Sequence, residues 1–158
     1  MMDYEIVKWL HILSSTLLFG TGLGSAFYKW SADRSGNIEA IAHTNRIVVI
    51  ADWLFTTPTV ILQPLTGYLL LRILGLGLDE AWLVATYILY IIAGGCWLPV
   101  VWLQIRMRDL ALDAVQGRVA LDSSYHRLAR IWFWLGVPAF VSMVLIYFLM
   151  VSKSVINM

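Results

Sequence analysis

Apolar residues run along this chain in four long stretches, Ile6 to Trp30, Ile47 to Leu74, Trp82 to Ile105 and Ile131 to Val151, separated by polar breaks. A bilayer core about 30 Å thick is crossed by about 20 such residues in a helix. Backbone groups in lipid must satisfy their own hydrogen bonds, so these stretches are helices and not strands. The pattern therefore predicts an all-α polytopic membrane protein: an antiparallel four-helix bundle in one domain, residues 1–158.

The breaks refine that picture. Gly75 to Glu80 is short enough to make the second and third helices antiparallel neighbours. Ser35-Gly36-Asn37 interrupts the chain, and Asn37 is a candidate cap for a helix that continues into the second span. Gly117 is a candidate end for a long third helix, and Asp122-Ser123-Ser124 a candidate cap for the fourth. The helices are thus expected to protrude from the bilayer at the first and third connections. Pro58 and Pro64 lack backbone donors, which should kink the second helix and release carbonyls near its middle.

Charge placement gives an orientation. The first and third connections with their flanks hold Lys29, Arg34, Arg46, Arg106, Arg108, Arg118, Arg127 and Arg130, against Lys8, Arg72 and Lys153 on the other side. Basic residues favour the cytoplasmic face, so both termini are expected outside. Trp9 and Trp82 then mark the outer boundary, and Trp30, Trp102, Trp132 and Trp134 the inner one. Trp53 and Trp97 fall deeper and read as packing residues. Asp3 and Glu5 ahead of a long first apolar run argue against a cleaved signal peptide.

Composition adds exclusions. Hydrophobic residues make up 60% and charged ones 13%, against roughly 45–50% and 25% in globular proteins. A net charge of +1 gives no footprint for nucleic acid. Cys96 is the sole cysteine, which rules out an intrachain disulfide and suits a small buried hydrophobe. No metal, phosphate or hydrolase motif occurs, and Gly20-Thr21-Gly22-Leu23-Gly24 lies mid-membrane, the wrong place to hold phosphate. Gly20 and Gly24 form a GxxxG pair, read either as tight packing within the bundle or as a homodimer face.

Intramembrane polar residues are the candidates for chemistry. His11 lies about 8 Å into the first span at 1.5 Å per residue. It can ligate haem iron or pass a proton, or simply hydrogen-bond a neighbouring helix. At similar depth the other helices offer Gln63, Tyr68, Tyr87 and Tyr90, and a stripe of Met143, Tyr147 and Met150 on one face. Met143 or Tyr147 is a reasonable second axial ligand, five-coordinate iron being the alternative. Lys8 and Arg72, on the outer side, either pair with haem propionates or snorkel. His43 and His126 match in height near the cytoplasm and are either a second metal or haem pair or two interfacial histidines. Asp52 is the carboxylate well inside a span; with Thr56, Thr57 and Gln104 it gives the inner half a polar lining. A basic partner such as Arg46 or Arg106 is expected for it, and the set is either a proton path or structural glue.

Several runs resemble an uncharacterised bacterial family of integral membrane proteins, the domain of unknown function twenty-two sixty-nine. They are Lys8 to Ser14, Leu18 to Gly22, Ala51 to Pro58, Gln63 to Gly67, Trp97 to Asp109, Tyr125 to Arg127 and Trp132 to Pro138. That resemblance covers nearly the whole chain and implies a bacterial inner-membrane setting without an activity. More distantly, Lys8, Leu10 and His11, Thr57-Pro58, and the aromatic start of the fourth span are similar to HemJ-type protoporphyrinogen oxidases. The resemblance implies a b-type haem held by His11. The HemJ-type histidine of the third span has no counterpart in Gly94-Gly95-Cys96-Trp97, and the Leu-Pro-Arg closing their first helix is replaced by Ala26-Phe27-Tyr28-Lys29.

The expectation is a haem protein in electron transfer or a HemJ-like redox reaction, its partner quinone or a periplasmic protein. The alternative is a cofactor-free transporter or membrane-complex assembly subunit built on Asp52, and a third a structural, lipid-interacting bundle.

Overall fold

The computed structural model describes residues 2–156, with side chains over 3–152; Lys153, counted above with the outer charges, lies outside the described side chains. The chain forms α1 (Met2–Ser35), α2 (Ile38–Ala51), a π-helical turn (Asp52–Thr56), α3 (Thr57–Leu74), α4 (Ala81–Gly117) and α5 (Ser123–Ile156). Among the described residues there is no strand. α2, the π turn and α3 form one continuous rod, so four rods are long and apolar enough to cross a membrane: Asp3–Ser35, Ile38–Leu74, Ala81–Gly117 and Ser123–Ser152. An even number of crossings puts both chain ends on one side.

The caps behave as the residues dictate. Asn37 starts α2 by accepting a hydrogen bond from the Ala40 N–H at 3.1 Å. Gly75, at φ 67°, ends α3, and the next N–H, of Leu76, returns to the Leu71 carbonyl at 3.1 Å. Asp122 accepts from the Ser124 N–H and hydroxyl at the start of α5. Gly117 ends α4 as expected, and Arg118 after it takes the left-handed turn at φ 52°. The 37 residues of α4 span about 55 Å, well beyond the bilayer core, so the rod extends past it at the Gly117 end.

The first rod packs along the second, α4 packs on α2, and α5 packs along α4. The second rod is the central one: 28% of its most apolar window is buried, against 6% for the first and fourth. Outward faces carry large apolar side chains, including Ile91, Leu98, Phe148 and Val151. Only lipid reconciles that much exposed apolar surface with a stable fold. Trp9, Trp30, Trp102 and Trp134 are exposed as a belt requires, whereas Trp82 and Trp132 are buried. Trp53, expected to pack inside, faces outward at 59% exposure because the π turn rotates its side chain off the bundle.

Packing differs along the axis. On the inner side Ile41, Ala42, Leu103, Met107 and Ala111 close into one core with Tyr125 and Trp132. On the outer side the loop joins α3 and α4, yet they meet through side chains alone: Leu71 against Trp82 and Leu83, and Tyr90 against Val60. The expected adjacency of the second and third rods therefore holds at α2 and loosens toward the loop. α1 and α5 meet through rings at mid-height, with Phe19 5.4 Å from both Phe140 and Tyr147, and through Tyr125 at the inner end.

Pro58 and Pro64 explain the shape of the second rod. Pro58 cannot donate, and the chain widens into the π turn just before it; the Thr57 hydroxyl donates to Asp52 O, and Thr59 to Phe55 O and Thr56 O. Pro64 frees the Val60 carbonyl, which accepts the Tyr90 hydroxyl from α4 at 2.5 Å.

Candidate functional site

Two cavities occupy the space the splayed rods leave. The outer one, about 410 Å³, is lined from α1 by Lys8 and His11, from α3 by Gln63 and Gly67, from α4 by Tyr87 and Tyr90, and from α5 by Met143, Tyr147 and Met150. The inner one, about 380 Å³, is lined by Gly22, Asp52, Thr56, Gly94, Trp97, Gln104, Trp132 and Gly136. Tyr90 and Met143 belong to both walls.

His11 is anchored to α3. Its Nδ1 lies 2.7 Å from the Thr66 hydroxyl, and that hydroxyl donates its single proton to the Leu62 carbonyl at 2.6 Å. The Thr66 hydroxyl thus joins the imidazole of α1 to the backbone of α3. Gln63 donates to the His11 carbonyl at 2.9 Å and to the Ser14 hydroxyl at 2.6 Å, completing a polar seam between α1 and α3. Gly67 makes the approach feasible: a Cβ there would stand 3.4 Å from His11 Cε1.

The other expected site residues divide. Lys8, Met143 and Tyr147 share the outer cavity with His11, as the spacing of the α5 stripe required. Arg72 does not line it but donates at 3.3 Å to Tyr68, which does. His43 and His126 are both exposed and line neither cavity, His126 standing edge-on to Tyr125. No group of three or more metal-binding side chains occurs among the described residues.

Asp52, Thr56 and Gln104 come together on the inner cavity, while Thr57 turns back to the Asp52 carbonyl. Thr56 donates to Asp52 Oδ1 at 2.8 Å, and the Gln104 amide addresses the same carboxyl. The expected basic partner is not there: the ion pairs of the described residues are Lys29 with Asp33 and Arg108 with Asp109. Arg46 and Arg106 lie on exposed faces, where water or headgroups solvate them better than a buried carboxyl would.

Sequence reasoning missed one cluster. Lys29, counted as a loop charge, is fully buried; its Nζ donates to Asp33 at 2.9 Å and to the Tyr125 hydroxyl at 3.0 Å. Tyr125 donates to Asp33 at 2.5 Å and accepts from Asn45 at 2.8 Å, so α1, α2 and α5 meet at one hydroxyl. Lys29 also stands 5.1 Å over the Tyr125 ring and 5.4 Å over Trp132. The spacing of four between Lys29 and Asp33 was a signal for their pairing; nothing local pointed to Tyr125, 96 residues away.

Four apolar-surfaced rods enclosing polar seams define a polytopic integral membrane protein. Residues 5–154 match the predicted integral membrane proteins of DUF2269, and the chain belongs to that family. No curated protein and no solved structure was found to match it.

Proposed function

We propose that this protein is a b-type haem protein of the bacterial inner membrane, with its termini outside, and that His11 is the axial ligand. The observation that carries this reading is the Thr66 contact on the cavity wall: a histidine whose Nδ1 is held by a neighbouring hydroxyl is fixed in orientation, as metal-bound histidines are. The donor set around it fits. The cavity is within the range of small-molecule sites, and α5 contributes a thioether, Met143, and a phenol, Tyr147, as candidates for the second axial position. Lys8 stands at the outer end to meet propionates, with Arg72 reaching the same wall through Tyr68. Haem bound there supplies a one-electron carrier, and the protein's own part is orientation, exclusion of water and charge pairing for the propionates. The role that follows is electron exchange with quinone in the lipid or with a periplasmic protein.

The test is an absorbance spectrum of the detergent-purified protein, oxidised and dithionite-reduced. A Soret band with reduced α and β peaks, lost in His11→Ala and kept in His126→Ala, supports the reading. Absence of any band from haem-replete cells defeats it. A transporter built on Asp52 predicts the opposite genetics, with Asp52→Asn abolishing function and His11→Ala mild.

A further inference from the structure

On the outside of the bundle, three rods repeat one arrangement at the inner end. Trp30 of α1, Trp102 of α4 and Trp134 of α5 are 48%, 58% and 66% exposed. An exposed arginine stands four residues to the inner side of each: Arg34, Arg106 and Arg130. In α1 and α4 the arginine follows the tryptophan; in α5, which starts at the inner end, it precedes it. Four residues make about one helical turn, so each arginine shares a face with its indole and lies about 6 Å closer to the inner surface. In α1 the two are in contact, with the Arg34 guanidinium 5.0 Å over the Trp30 ring.

The α5 copy carries a second cation. At about 100° per residue, Arg127, Arg130 and Trp134 fall within about 60° of one another, on the side away from the buried Tyr125 and Trp132. Both arginines are exposed. Among the described residues neither has an ion pair, the pairs there being Lys29 with Asp33 and Arg108 with Asp109. No carboxylate lies within four residues of either, and Asp122, five before Arg127, is tied to Ser124. The other copies differ: Asp33 adjoins Arg34, and Asp109 follows Arg106 by three residues.

We infer that this face of α5 binds the headgroup of an anionic glycerophospholipid. An indole at the membrane boundary sits at headgroup level, and guanidiniums one and two turns beyond it meet the phosphates. A guanidinium takes a phosphate through two parallel N–H donors, which a water-filled surface does not require of it. A zwitterionic headgroup brings its own ammonium against the second arginine, whereas an anionic one sets no cation against another. The same side of α5 continues toward the bilayer centre as exposed Val141, Leu145 and Phe148. Acyl chains lie along that stripe, a contact that free phosphate lacks. The site stands at the opposite end of the bundle from His11 and does not rest on haem.

The test uses the full chain in an uncharged detergent, titrated with dioctanoyl-phosphatidylglycerol or dioctanoyl-phosphatidylcholine while native mass spectrometry counts the lipids bound. The anionic lipid is expected to bind about tenfold or more tightly than the zwitterionic one. Arg127→Gln and Arg130→Gln should each weaken it about fivefold, and the double variant by more than about tenfold. Arg118→Gln removes the same charge at the same end but off this face, and is expected to stay within about twofold. Circular dichroism and gel filtration check that each variant is folded. Equal affinity for the two lipids, an unchanged double variant, or a loss in Arg118→Gln matching that in Arg130→Gln each overturns the inference. Displacement of the lipid by an equal concentration of inorganic phosphate overturns it too. The His11 spectrum is read independently, so the two proposals fail separately.

Discussion

The inner and outer halves of this bundle use polar residues in opposite ways. At the inner end Lys29, Asp33, Asn45 and Tyr125 bond one another, with only Asn45 Oδ1 left over, and apolar side chains pack around them. Further out the rods splay, and polar residues face voids: His11 on one cavity, Asp52 and Gln104 on the other. Polar groups that bond one another across rods specify how helices meet; polar groups on a cavity wall leave a place for something else. Stability should therefore concentrate at the inner end and binding further out.

The largest expected effect is at the inner end. Lys29→Met removes the cation from a buried pair, and since Asp33 keeps 25% exposure the cost falls at the lower end for such a deletion, about 3 kcal/mol. Equilibrium unfolding in mixed micelles measures it, and a loss near zero would erase the distinction between the halves. Next is Thr66→Val, which removes the hydroxyl 2.7 Å from His11 Nδ1. With haem on His11 as proposed, its retention should fall about 10- to 100-fold, while stability drops by less than about 1 kcal/mol, the scale of one interhelical hydrogen bond in a membrane. Competition for bound haem by apomyoglobin reads the first and unfolding the second.

Tyr125→Phe deletes the shared hydroxyl but leaves Lys29 on Asp33 and Asn45 on the Ile41 carbonyl; about 1.5 kcal/mol should be lost in the same assay. Arg118→Gly relieves a side chain held at φ 52° and should stabilise by about 1 kcal/mol, visible as a higher midpoint. The smallest effect is at Asp122. Hydrogen bonds from the Ser124 hydroxyl and then from the backbone N–H groups of Ser124 and Ser123 hold its carboxyl below the ordinary 3.8. A depressed acid contributes above its ordinary value and loses that contribution as pH falls through the folded one. Amide exchange in the first turn of α5 should therefore accelerate only below about pH 4. The same rise below about pH 4 in Asp122→Asn, which has no carboxyl to titrate, would remove the carboxylate from the account.

Local features were legible because local physics makes them. Asn37 and Asp122 had to cap, and the four runs had to span. The Met143–Tyr147–Met150 stripe had to share a wall, since spacings of four and three put them on one helical face. What failed depended on which face met which. Gly20 and Gly24 looked like packing glycines, yet a Cβ at Gly20 would touch nothing and one at Gly24 would meet only Tyr28 of its own helix. The homodimer reading of that pair stays a proposal. The outward turn of Trp53 goes with the π turn it sits in, and the missing cation of Asp52 with the exposed faces that carry Arg46 and Arg106.

By itself, then, the sequence determined that the chain crosses a membrane four times, where each helix starts and stops, and which residues are polar at depth. Those properties follow from transfer free energy and from hydrogen bonds within a few residues. Tertiary structure decided which polar residues are satisfied. Lys29 found Tyr125 across 96 positions, His11 found Thr66 across 55, and Asp52 Oδ2 was left without a partner. Pairings of that kind depend on crossing and rotation of packed rods, which Pro58, Pro64 and the π turn set only once the neighbouring helices are in place.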